Sequence, residues 1–141
     1  MERASPSPIP ETALEAVVDC LARSHDLVLL DMGRGSMECG AIRRTLWVAT
    51  QSVRSLAATK ASILDLGGGE NALVIRKGGS VSPQDAARVV ELELIAQIPT
   101  VADLARLADR GIPPTLSGGW KKACGKVLQW CLGEAVPKRR L

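Results

Sequence analysis

The chain has 141 residues, 46% apolar and 23% charged, with 18 Lys and Arg against 15 Asp and Glu for a formal charge of +3. That is one domain's worth of chain with ordinary globular usage, and the charge is too small to imply nucleic-acid binding. Three Trp, no Phe and no Tyr leave a core of Leu, Val, Ile and Ala. This excludes aromatic-centred sandwiches and the RNA readers that stack bases on sheet aromatics.

Residues 1–10 hold Pro6, Pro8, Pro10 and Glu2 and no apolar core, so they read as a disordered leader and not as a signal peptide. Thr12 and Glu15 have capping-box spacing before an amphipathic helix to about Arg23. Asp26-Leu27-Val28-Leu29-Leu30-Asp31 is an apolar run between two acids, the pattern of a strand buried on both faces. A Gly-rich turn follows at Gly33-Arg34-Gly35, and Thr45–Thr50 makes the second predicted strand. Ser52 opens a helix to about Leu66, which Gly67-Gly68-Gly69 ends.

Ala72–Arg76 is the third predicted strand, broken by Gly78-Gly79. Ser82-Pro83 is an N-cap with proline at the first helical position, opening a helix to about Val90. Leu92–Ile98 is the fourth strand, stopped by Pro99. Thr100 and Asp103 begin a helix that ends at Gly111, and a last helix, rich in Lys and Trp, runs from Ser117 to about Leu132. Lys138 to Arg140 make a basic tail over 134–141. Strands alternating with helices give an α/β fold: a three-layer, mainly parallel sheet of about four strands with helices on both faces, over 11–133.

Cys20, Cys39, Cys124 and Cys131 form no CxxC pair, and His25 is the only histidine. Zinc sites need closer ligand pairs, so the thiols read as free and buried, as suits a reducing, cytoplasmic compartment. No aliphatic run is long enough to span a membrane.

Parallel sheets bind ligands at the carboxyl ends of their strands. Here those ends carry Asp31, then Thr50 and Gln51, then Arg76 and Lys77, then Pro99. An acid after four aliphatic residues can hold Mg²⁺ or accept a phosphoryl group. As a phosphoacceptor strand, Asp26–Met32 is similar to that of response-regulator receivers, with Thr50 and Lys77 as partners for Asp31. Receivers need an earlier acidic pair at a strand end, and no such strand precedes Asp31.

The order and spacing of four segments resemble the C-terminal half of the MinD/ParA-like ATPases, the branch with the CpaE-like and septum-site-determining proteins. His25–Gly35 (HDLVLLDMGRG) looks like the Walker B strand and turn, and Thr45–Leu66 like the following strand and helix. Asn71–Lys77 (NALVIRK) resembles the strand that ends in Asn-Arg, and Ile98-Pro99 with Ala102–Pro113 resembles the family's Ile-Pro and Gly-x-Pro signature.

The resemblance implies a partial P-loop NTPase-like fold, with Asp31 as the Mg²⁺-associated acid and Gly33, Gly35, Arg76 and Pro99 near a nucleotide. Two departures matter. Ile75 stands where the family has its adenine-contacting Asn, and no phosphate-binding loop is present. Gly67-Gly68-Gly69 lacks the Lys and follows a helix, while Gly118-Gly119-Trp120-Lys121-Lys122 lacks the spacing and the hydroxyl.

The expectation is therefore a truncated or degenerate relative tied to septum-site or Flp-pilus positioning. It would act by protein contacts, as a homo-oligomer or with a protein partner, without autonomous ATP hydrolysis. No cofactor is expected for the chain alone; ATP and Mg²⁺ enter only if a partner supplies the phosphate loop. Without the strand that carries that loop, Leu27–Leu30 must pair with Leu46–Ala49 or expose an apolar edge. On the last helix Trp120, Cys124, Val127 and Cys131 share one stripe opposite Lys122, Lys126 and Gln129. That stripe is expected to pack on the sheet, with peripheral membrane contact through 117–133 as its alternative use.

Overall fold

The computed structural model describes residues 10–32, 42–66, 69–101, 104–113 and 118–133. The chain divides into two units, Met1–Arg43 and Arg44–Leu141.

In the first unit, α1 covers Glu11–Ser24 and buries Val18. The expected capping box is not formed: Pro10 is the N-cap residue and no side chain caps the helix. The Pro10 carbonyl instead accepts from the amides of Ala13 and Leu14 at 3.0 and 3.1 Å. Proline fixes φ near the helical value without needing an amide partner, so it can open a helix where Thr12 was expected to. Residues 25–32 follow as irregular backbone. The strand expected over Asp26–Asp31 is thus absent, and Leu29 is 72% exposed. An apolar run becomes a strand only when a neighbour satisfies its amides and carbonyls, and no described strand pairs with this one.

The second unit is a parallel three-stranded sheet in the order β1-β2-β3, with β1 at Arg44–Thr50, β2 at Glu70–Arg76 and β3 at Glu93–Ile98. Four strands were expected; three are found among the described residues, because the first candidate is not one. Helix α2 (Val53–Leu66) joins β1 to β2 and α3 (Pro83–Val90) joins β2 to β3. Short α4 (Leu104–Asp109) and long α5 (Gly118–Leu132) follow.

β2 is central and buried on both sides from Ala72 to Ile75. Side chains alternate across a strand, so Leu73 and Ile75 pack with Ala49, Leu56, Ala86 and Val90 under α2 and α3, while Val74 meets Ala96 and Ala123 under α5. Helices therefore cover both faces, as the sequence implied. Full burial of a Leu or Ile contributes about 2 kcal/mol, so the aliphatic cluster replaces the missing aromatics with many small increments.

Local chemistry sets the element ends. The Ser82 hydroxyl accepts from the Asp85 amide at 3.1 Å, with Pro83 next in the chain, as expected of that cap. α3 ends on Glu91, which adopts φ 60° and whose carboxylate takes Lys60 Nζ at 2.7 Å. Trp47 Nε1 donates to Asn71 Oδ1 at 2.9 Å, tying the neighbouring strands β1 and β2.

The register of β3 slips once. Leu73 pairs with Leu94 but Val74 pairs with Ala96, which leaves Ile95 extra. Such bulges are rare in parallel pairs and redirect the side chains around them. Here Ile95 and Ala96, adjacent in sequence, both join the cluster under α5.

Candidate functional site at the carboxyl ends of the strands

The three parallel strands end together, so Thr50, Arg76 and Ile98 form one row across the sheet. Just beyond them, Gln51 is the organiser. Its side-chain amide donates to the Val81 carbonyl at 2.8 Å, and its Oε1 accepts from the Gly78 amide at 3.2 Å. Its own carbonyl accepts from the Val81 amide at 3.2 Å. Three hydrogen bonds from one residue thus lash the loop after β2 to the end of β1. A Cβ placed on Gly79 would collide with the Gln51 carbonyl, so glycine there permits one loop to lie against another.

A second set of hydroxyls closes the β1–α2 turn. Ser55 Oγ receives the Thr50 amide at 3.0 Å, and the Thr50 and Ser52 hydroxyls share a hydrogen bond at 3.2 Å. Ser52 Oγ accepts from the Ser55 amide at 3.3 Å, which makes Ser52 the cap of α2. At the other end of the row the Thr100 hydroxyl donates to the Lys77 carbonyl at 3.1 Å, and the Lys77 amide to the Ile98 carbonyl at 3.0 Å.

Of the residues singled out from the sequence, Thr50, Arg76, Lys77 and Pro99 lie along this one sheet end, with Arg76 and Lys77 exposed. Asp31 is exposed in the irregular backbone of the first unit and does not end a strand, the feature on which both the receiver likeness and the Walker B strand likeness rested. Gly33 and Gly35 lie outside the described residues, as do Cys39, Asp103 and the basic tail. Gln51 and Thr100 were not singled out for their part here. The signal for Gln51 was the glycine pair at 78–79, since paired glycines after a strand announce a close backbone approach.

The cysteines depart from expectation. Cys20 and Cys124 are exposed and Cys131 is half-buried, all three as free thiols. On α5, Val127 of the expected Trp120–Cys124–Val127–Cys131 stripe packs on the sheet together with Ala123, and Trp120 and Cys131 are half-buried, whereas Cys124 is exposed. Burial raises the Cys131 thiol pKa, and the nearby Arg44 guanidinium partly offsets the rise.

A comparison with protein-family models gives no match, and a comparison with curated proteins gives none either. Among solved structures, the MinD cell division protein of Aquifex aeolicus superposes with a TM-score of 0.70 at 18% identity over 94% of this chain. The fold is MinD-like. The MinC:MinD cell division complex of the same organism gives 0.71 at 19% identity, again over 94% of the chain. The chain spans 64% and 63% of those two, so it matches part of a MinD-like fold. Within that MinD-like fold the β1–β2–β3 sheet end is the row described above. No helix among the described residues is long and apolar enough to cross a membrane.

Proposed function

We propose that this chain is a MinD/ParA-related positioning protein, connected with septum-site or pilus placement, that works through protein contacts and does not hydrolyse ATP by itself. The observation that carries the proposal is the use of Gly78 and Gly79. In a phosphate-binding loop, glycines free backbone amides for the ligand. Here the Gly78 amide is taken by Gln51 Oε1, and the space over Gly79 is filled by the Gln51 carbonyl. No Gly-rich segment of the sequence carries the Lys and hydroxyl residue that phosphate binding needs.

The MinD-like fold supports the positioning part, and the complex of that neighbour with MinC supports a protein partner or a second copy as the ligand. Under this proposal Asp31 serves Mg²⁺ only where another chain brings the phosphate loop. Arg76 and Pro99 are nucleotide contacts only under the same condition.

The test is ATP turnover and nucleotide binding by the purified chain with Mg²⁺. Neither is expected. Turnover that disappears in Asp31→Ala would show an active site within this chain and defeat the proposal.

A further inference from the structure

β3 pairs with β2 along one edge and with no described strand along the other. α5 packs on the face of the sheet where Val74, Ile95 and Ala96 lie, and between it and β3 runs a cavity of about 380 Å³. Four successive residues of β3, Leu94 to Gln97, line it. The groove therefore lies against the edge strand of the sheet, whose outer backbone amides and carbonyls no described strand takes. The extra residue at Ile95 helps open it, since Ile95 and Ala96 both turn toward α5.

The groove's charge has one sign. Lys122 and Lys126, one helical turn apart on α5, line it together with Lys77 from the end of β2, and among the described residues no carboxylate does. None of the three ammonium groups makes an ion pair or hydrogen bond within the described residues, whereas Arg44, Lys60 and Arg88 are all paired. Ala123 and Val127 of α5 are packed onto the sheet, so the helix offers this groove its lysines and keeps its apolar face inside.

We propose that this groove binds an extended acidic segment of a partner protein, which adds to the edge of β3 and sets its carboxylates against Lys77, Lys122 and Lys126. The edge supplies main-chain pairing, as in β-strand addition, and the lysines supply selection for charge. This deepens, and rests on, the reading of the chain as a protein-binding module.

The probe is a fluorescent ten-residue peptide of alternating Val and Glu, titrated against the full chain by anisotropy. Saturable binding that weakens with added salt is expected, together with a loss of at least about tenfold in the Lys122→Glu/Lys126→Glu variant. Lys121→Glu, an exposed lysine of the same helix outside the groove, is expected to bind as wild type; circular dichroism checks that each variant is folded.

Equal binding of a Val-Gln peptide, or equal loss in Lys121→Glu, overturns the proposal. So does failure of the peptide to bind while phosphatidylglycerol vesicles bind through Lys122 and Lys126, which would make the surface a lipid contact. ATP turnover is measured separately, so the groove and the hydrolysis proposal can fail independently.

Discussion

Arg44, the first residue of β1, donates from Nη1 to the main-chain carbonyl of Trp130, 86 positions away, at 2.8 Å. The same nitrogen reaches the Cys131 carbonyl at 2.9 Å, while Nε pairs with Glu70 Oε2 at 2.7 Å. The guanidinium carbon also sits 5.6 Å from the Trp130 ring centroid. Carbonyls of a helix's last turn lack intrahelical partners and carry the negative end of its dipole, so a half-buried cation there fastens α5 to the sheet.

Arg44→Met is therefore expected to destabilise the protein by about 2 kcal/mol, because it removes charge-assisted bonds and leaves the α5 carbonyls unmet. Arg44→Lys is expected to recover only part of this, since an ammonium lacks the planar fork. Urea unfolding followed by circular dichroism measures both; equal stability of Arg44→Met and wild type would show the staple to be idle.

Gly79→Ala is expected to cost more than about 2 kcal/mol, because the new Cβ meets a backbone carbonyl, that of Gln51, which cannot swing away. Gln51→Ala removes the side-chain bonds to Val81 and Gly78 and is expected to cost about 1–2 kcal/mol. Thermal melts of both variants read the coupling. The double variant should lose less than the sum, since removing the Gln51 side chain loosens the loop that a methyl group at position 79 strains.

Trp120 Nε1 is buried without a hydrogen-bond partner among the described residues. Burying an unsatisfied donor costs about 1–3 kcal/mol, so Trp120→Phe gives up indole volume but also removes that penalty. The expected net change is within about 1 kcal/mol, far below the roughly 3–5 kcal/mol typical of truncating a buried aromatic to Ala. A denaturation midpoint well below wild type would mean the N–H is satisfied in solution.

Cys131 holds its proton to higher pH than an ordinary thiol because it is partly buried. The thiolate is the reactive form, so iodoacetamide at neutral pH should modify exposed Cys20 and Cys124 ahead of Cys131, as peptide mass mapping would show. Raising the pH should narrow the gap. The sign for stability follows: a raised folded pKa favours the native state below the unfolded thiol pKa, and that contribution is lost as pH rises through the folded value. Modification of Cys131 as fast as Cys124 would contradict its burial.

Three strands and the helices between them were legible because each is a local event. TLWVAT, ALVIR and the run ending in Ile98 are short, mostly apolar stretches followed within a few residues by Ser, Gly or Pro, and Ser82-Pro83 is a cap whatever surrounds it. Glycines at 78–79 read only as the break after a strand, and the close approach they permit shows only in the fold. The partner in that approach, Gln51, lies across two strands, and its side chain has no sequence pattern.

The aliphatic composition, nearly free of aromatics, and the alternation of apolar runs with helical segments determined that a parallel sheet with helical cover would form, since strands joined by helices run parallel and bury both faces. Tertiary structure alone decided which apolar runs became strands. Leu27 to Leu30 is as aliphatic as Leu73 to Ile75, yet only the second is a strand, because β1 and β3 flank it and meet its backbone hydrogen bonds. It also decided which face of α5 packs and where its lysines gather. A one-residue slip at Ile95 set the shape of the β3 edge, and register is a property of two strands that neither sequence states alone.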